Sequence, residues 1–358
     1  MSLKATLTFI GRTTLLFVFV TLPVLLLLAL LLEIFARLAL HPSDIPQVYF
    51  DNGLGIMYES GQKGTYVKGG VKEINAKYSI NNSGWNSPHD YKEEKNIDTK
   101  RVAVIGDSFI EAFQVDFDKS FPYLVENKLK GAEFYTFGHS GSSLAQYIQY
   151  LKYAKGNFNP DFFVINLVDN DFEESFWGYG RVDNWSVIRE GNVFKWILPQ
   201  KPKNLAVKRI LGRFALVRYL TINLDFINSN SIVRKLFYLG VRNSPPEPIP
   251  DIQMEEFIGY AIAEINKITE GRVILILNSA SGYQNPKFFI YRGIVKTHAS
   301  ANNIEVLDLE EVFENRDEVV WPNDYHWNRL GHEIIAQEIQ KIVQKVFPPE
   351  PSSAAEYR

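Results

Sequence analysis

The chain has 358 residues, 46% of them hydrophobic and 22% charged, enough to bury a full core with an elaboration or two. A formal net charge of −3 gives no polyanion-binding signal, and no basic stripe interleaved with aromatics argues for nucleic acid. Cysteine is absent, which excludes a disulfide framework, a thiolate nucleophile and a cysteine-ligated metal.

Residues 1–12 read as a short cytoplasmic tail. From Thr13 to Leu32 there is no charge and the composition is dominated by Leu, Val and Phe. That is about 20 residues, enough for a helix to cross ~30 Å of hydrocarbon. A cleavable signal peptide has an apolar region of only about 7–15 residues before a small-residue cleavage site. This run is longer and continues into Glu33-Ile34-Phe35-Ala36-Arg37 with no clean Ala-x-Ala. The expectation is an uncleaved signal anchor over 13–34. Lys4 and Arg12 precede the span and Glu33 follows it, so the amino terminus is expected in the cytoplasm and the remainder in the periplasm or outside the cell. Arg37 pulls against that orientation.

Residues 35–98 are polar, rich in Gly, Asn and Tyr, and without a sustained period; they read as a stalk with short strands packing on the main domain. Over 99–347 strands and helices alternate. Arg101–Gly106 is a buried strand, Lys119–Lys130 a helix, Glu133–Phe137 a strand and Ser143–Ala154 a helix. Asp161–Val168 is a further buried strand. From Phe172 to Asp251 the alternation breaks into an aromatic insertion with weak helices near Val207–Leu220, closed by the stiff Ser244–Pro250 run. A helix over Gln253–Thr269, a strand Arg272–Leu277, a helix near Lys287–Ser300, a strand Ile304–Leu309 and a last helix Leu330–Val346 follow. The pattern predicts an α/β fold: a doubly wound, flavodoxin-like parallel sheet of about five strands with flanking helices. Residues 348–358 read as a disordered tail.

The chemistry gathers at the carboxyl ends of the strands, where open α/β sheets place their ligand sites. Gly106-Asp107-Ser108 forms a strand-to-helix turn that presents a hydroxyl. Gly138-His139-Ser140-Gly141 follows the second strand, with a glycine backbone N–H to offer. Asp169-Asn170-Asp171 follows the third, and the Asn170 amide is a neutral donor suited to an oxyanion. Asp324-Tyr325-His326 stands before the last helix, with the imidazole in a loop and a carboxylate two residues ahead to orient it. Each is weak alone: Ser108 could be a helix cap and Asn170 an Asx-turn residue. Their order is the stronger signal.

These four blocks resemble those of the SGNH (GDSL-like) hydrolase superfamily. Gly106-Asp107-Ser108-Phe109 is similar to the first, Phe137 to Gly141 to the second, Asp169-Asn170-Asp171 to the third and Asp324-Tyr325-His326-Trp327-Asn328 to the last. The resemblance implies Ser108 as nucleophile, His326 as general base and then acid, and Asp324 as its orienting acid. It further implies an oxyanion hole from the N–H groups of Ser108 and Gly141 and the amide of Asn170. Two positions depart from it. Asn323 stands where many members carry the acid, and Asp324 has the shorter spacing of Asp-x-His-Trp members, some of them envelope O-acetyltransferases. Asp169 replaces the glycine usual in the third block.

Of the other histidines, His41, His89 and His298 are expected at the surface and His332 to pack or cap, while His139 lies in the second-block turn, where it could touch substrate. No metal and no cofactor is expected. The reading is a membrane-anchored serine esterase acting on a small acyl ester, O-acetyl first, of an envelope glycan or lipid. An O-acetyltransferase using the same site and a silent, membrane-tethered glycan-binding protein are the rivals.

Overall fold

The computed structural model describes residues 14–69, 72–226, 247–278, 286–314 and 316–348. The expected cytoplasmic tail, residues 244–246 of the stiff run and all but Pro348 of the expected disordered tail lie outside them.

The core of the larger unit is one five-stranded sheet. Its strands are β1 (Lys100–Gly106), β2 (Ala132–Gly138), β3 (Phe162–Leu167), β4 (Val273–Leu277) and β5 (Glu305–Asp308). Their spatial order is β2-β1-β3-β4-β5, and every neighbouring pair is parallel. This is the doubly wound arrangement expected from the sequence.

Because side chains alternate across a strand, each strand feeds two cores. Ala103, Ile105, Phe163, Ile165 and Leu275 face one side, and Val102, Val104, Val164, Ile274 and Ile276 the other. The flanking helices are α1 (Ser108–Glu111), α2 (Phe121–Glu126), α3 (Leu144–Phe158), α4 (Asn170–Glu174), α5 (Asp251–Thr269), α6 (Pro286–Ala301), α7 (Leu309–Phe313) and α8 (Arg329–Val346). Helices α3, α5 and α6 cover the first face, and α2, α7 and α8 the second. On α8 the buried residues Ile335, Ala336, Ile339, Ile342 and Val343 recur at helical spacing and form its seam.

Several segments differ from expectation. The helix expected over Lys119–Lys130 is a 3-10 turn at Phe117–Lys119 followed by α2, with Pro122 in its first turn. It stops at Glu126 because the chain must re-enter the sheet at Ala132, and Glu126 Oε2 accepts the Phe134 N–H at 2.7 Å. The aromatic insertion carries an antiparallel hairpin, Ser186–Glu190 with Val193–Ile197. By contrast, the packing on the main domain expected of residues 35–98 is seen at Trp85, which is 1% exposed and packs edge-on against Phe137 at 5.3 Å and Tyr150 at 5.0 Å.

A second, smaller unit comprises described parts of residues 1–45, 67–73 and 206–241. It contains the 27-residue helix Thr14–Leu40, whose most apolar 18-residue stretch has a mean hydropathy of 3.1, long and apolar enough to cross a membrane. Pro23 lacks the N–H that an α-helical ladder needs, and a π turn at Phe17–Thr21 precedes it.

Candidate active site

Chain direction reverses between β1 and β3: from β1 the chain moves outward to β2, then returns across to β3. The turns leaving β1 and β3 therefore flank the switch point of the sheet, the crevice where such folds bind ligands.

Ser108 is the first residue of α1. Asp107 caps that helix, its carboxylate accepting the Phe109 N–H at 3.0 Å. The turn sits unusually close to β2. Gly106 and Gly138 are register partners, and a Cβ on Gly138 would stand 2.4 Å from the Glu111 nitrogen and 2.7 Å from the Ile110 carbonyl carbon. No side chain fits there, so glycine at 138 lets the serine turn settle on the sheet.

His326 reaches the same turn from the far end of the sequence. Its loop is held by backbone bonds from Trp321 N–H to His326 O at 2.9 Å and from Tyr325 N–H to Trp321 O at 2.8 Å. Tyr325 takes a left-handed φ of 64° to close it. The neighbouring Trp327 is buried and donates Nε1–H to Asn278 Oδ1 at 3.3 Å, while Phe109 lies 4.5 Å from the imidazole.

The result is a continuous relay. Ser108 Oγ lies 2.7 Å from His326 Nε2, and His326 Nδ1 lies 2.6 Å from Asp324 Oδ1. The Asp324 carboxylate can only accept, so Nδ1 carries the hydrogen and Nε2 is free to take the serine proton. Burial draws the His326 pKa down, but Asp324, with help from Asp107, outweighs it and leaves the pKa raised. The structure thus brings Ser108, His326 and Asp324 together.

The second and third blocks lie beside this relay in the fold. Gly141 has a φ of +74°, a conformation that suits glycine. The peptide linking Ser140 to Gly141 is fixed through its carbonyl, which accepts from Arg181 Nη1 at 3.0 Å; Asn184 Nδ2 donates to Gly141 O at 2.5 Å. On the other side Glu111 accepts from Ser140 N–H at 3.3 Å, from the Ser140 hydroxyl and from Tyr58 Oη at 2.6 Å. Asn170 begins α4, and Glu174 stands one turn further along the same helix. Asp171 is structural: it accepts the Val168 N–H at 2.7 Å and the Tyr147 hydroxyl at 2.9 Å.

Burial dominates the charges around the relay. It pushes Asp107 up to about 6 against the opposing Phe109 N–H, and Glu174 up to about 7 against the opposing Asn170 side chain. Asp169, the departure in the third block, is raised for the same reason. Glu111, Arg181, Asp183 and Asn184 were not singled out from the sequence. Glu111 could have been found, since a charged residue one turn after the serine on a short buried helix needs a partner. Arg181-Val182-Asp183-Asn184 carried no local signal.

The remaining histidines have other partners. His332 is buried, accepts the Phe121 N–H at 3.2 Å through Nδ1, and is depressed to about 3 by burial. His139 stacks on Tyr58 at 4.8 Å and burial lowers it to about 4, which keeps it neutral. His89, expected to be solvated, is half exposed and faces Glu126 Oε1 at 3.3 Å.

The chain matches no family model and no curated protein. Among solved structures it is similar to a member of the lipolytic protein G-D-S-L family from Veillonella parvula, at 11% identity over 69% of this chain and 100% of that one, TM-score 0.39. It is similar to the lipase/acylhydrolase from Enterococcus faecalis at 14% identity, over 71% and 100%, TM-score 0.41. A psychrotrophic esterase from Pseudoalteromonas sp. matches at 9% identity over 69% and 98%, TM-score 0.39. The chemistry of the site stands on its own geometry.

Proposed function

We propose that the chain is a membrane-anchored serine esterase of the SGNH type, cleaving a small acyl ester, O-acetyl in the first instance, from a cell-envelope glycan or lipid. The observation that carries this reading is the 2.7 Å contact of Ser108 Oγ with His326 Nε2, backed by Asp324 at 2.6 Å. As Oγ attacks the ester carbonyl, Nε2 takes the hydroxyl proton, and Asp324 stabilises the imidazolium that forms. The oxyanion is held by the N–H groups of Ser108 and Gly141 and by the Asn170 amide. His326 then protonates the departing alcohol, and water releases the acyl group from Ser108 by the reverse sequence.

The Asp324-Tyr325-His326-Trp327 pattern favours a second reading, in which a sugar hydroxyl replaces water and the reaction is acyl transfer. Acetate release compared with polymer acetylation separates the two. In both readings the Thr14–Leu40 helix spans the bilayer, with the catalytic domain periplasmic or extracellular.

A fluorophosphonate probe should label the folded protein and not its Ser108→Ala variant. The same change should lower p-nitrophenyl acetate turnover by about 10³-fold or more. Turnover that survives it would sink the assignment.

A further inference from the structure

From Ala206 to Leu224 the sequence carries four cations, Lys208, Arg209, Arg213 and Arg218, and no acidic residue. The stretch forms a helix over Leu205–Leu211, a shorter one over Ala215–Arg218 and a π turn over Tyr219–Asn223. Val207, Ile210, Phe214, Leu220 and Leu224 all stand exposed along it. A run of large apolar side chains left open beside cations marks an interaction surface.

The same stretch is fastened to the carboxyl end of the apolar Thr14–Leu40 helix. The two oxygens of Glu33 accept the N–H groups of Ala215 at 2.8 Å and Leu216 at 3.0 Å, supplying partners that a helix start lacks. Arg37 donates to the Arg213 carbonyl at 3.0 Å. Just past the helix, Asn223 accepts the Ser43 N–H at 2.9 Å and donates to the His41 carbonyl at 3.3 Å, while Arg218 Nη1 meets Asp44 Oδ1 at 3.1 Å. These bonds fix the exposed side chains at the level where the span ends.

That level decides the occupant. A helix leaving a bilayer passes from acyl chains into headgroups, and a short cationic, apolar-faced segment tied to that point lies at the boundary between them. Lipid phosphates complement exposed Lys208 and Arg213, whose long stems reach up to them while the apolar groups sit lower. We infer that residues 205–224 form an interfacial collar lying on an anionic bilayer surface around the exit of the Thr14–Leu40 helix. The inference rests on that helix being a membrane span and is independent of the ester chemistry.

The absence of cysteine makes single-site labelling direct. Full-length chains carrying Ile210→Cys or Phe214→Cys, each bearing an environment-sensitive fluorophore, would be reconstituted into phosphatidylcholine–phosphatidylglycerol vesicles containing brominated lipid. Ile97→Cys, on a fully exposed residue of the larger unit, reports water, and Leu26→Cys reports the middle of the span. Shallow-brominated lipid should quench the labels at 210 and 214 at least about twofold more than the label at 97. Adding Lys208→Glu and Arg213→Glu should cut the quenching at Ile210 by roughly half.

Quenching at 210 and 214 no greater than at 97 overturns the collar. So does shielding of those labels from water without lipid quenching, which would place a second copy or another protein there. Quenching unmoved by the two charge reversals overturns the anionic lipid as its partner. A label at Leu26 that escapes deep-brominated lipid removes the span and the collar together. Turnover of p-nitrophenyl acetate should stay unchanged throughout, which keeps this test separate from the esterase reading.

Discussion

Arg181 donates to the carbonyl oxygen of Ser140 at 3.0 Å, and that carbonyl shares a peptide plane with the N–H of Gly141. A cation on one end of an amide orients the plane and makes the opposite N–H a stronger donor. Arg181 is therefore a positioning residue for the proposed oxyanion hole: it acts through the peptide and not on the ester itself. Arg181→Ala alone would strand the buried Asp183 carboxylate, at a cost of about 1–3 kcal/mol. The double variant Arg181→Ala/Asp183→Ala avoids that. It should keep a near-normal melting temperature and KM while kcat falls by about 10–100-fold. A KM rise with kcat preserved would instead assign Arg181 to substrate binding.

Asp324→Asn leaves the shape of the relay intact but lets the side chain donate as well as accept. The imidazole then has no reason to keep its hydrogen on Nδ1, and Nε2 loses its free lone pair for Ser108. Turnover should drop by about 10³–10⁴-fold with little change in stability. Retention of a tenth or more of the activity would show that another group orients His326.

The relay and its buried carboxyls set opposite pH preferences. The proposed mechanism needs neutral His326, whose pKa is raised, so the acid limb of kcat/KM should lie above the ordinary histidine value of about 6.5. Asp324→Asn should move it down. Stability runs the other way. Asp107 at about 6 and Glu174 at about 7 sit above their unfolded values, so the folded chain binds more protons than the unfolded one. Their contribution is complete below the ordinary carboxyl range near pH 4 and is lost as pH rises through 6 to 7. His326, raised as well, adds stability that is complete below its unfolded value and fades above its folded one. Urea midpoints should therefore fall between pH 5 and 8 as activity climbs, and Glu174→Gln should flatten the slope.

Gly138→Ala tests the seat of the proposed nucleophile, Ser108. Its Cβ would meet backbone 2.4 Å away at Glu111, which cannot rotate aside as a side chain could. The serine turn must lift, at a cost of about 1–3 kcal/mol. Turnover should fall further than that loss of folded protein explains. A crystal structure of the variant with Ser108 unmoved would contradict it.

The sheet was legible in the sequence because its strands are buried on both faces and read as short apolar runs between turn residues. The relay was legible because a serine, a glycine, an asparagine and a histidine each close a β-strand or precede a helix in fixed order. What escaped depends on partners far along the chain. Glu111 finds Tyr58 53 residues away and Ser140 29 away; Arg181 finds Ser140 41 away. Long-range pairs leave no periodicity, and neither does Trp85, whose aromatic neighbours lie more than fifty residues on. The truncation of the helix expected over Lys119–Lys130 was similarly hidden, since α2 ends for want of chain to reach Ala132 and not for want of helix formers.

Ser108 and its base are separated by 218 positions. During synthesis Ser108 emerges early, and under the proposed mechanism its hydroxyl stays an ordinary alcohol until the loop ahead of α8 has docked. Under that mechanism a chain lacking the segment would have no base for Ser108. If the Thr14–Leu40 helix spans the bilayer as proposed, the chain would reach the membrane before its proposed site is assembled.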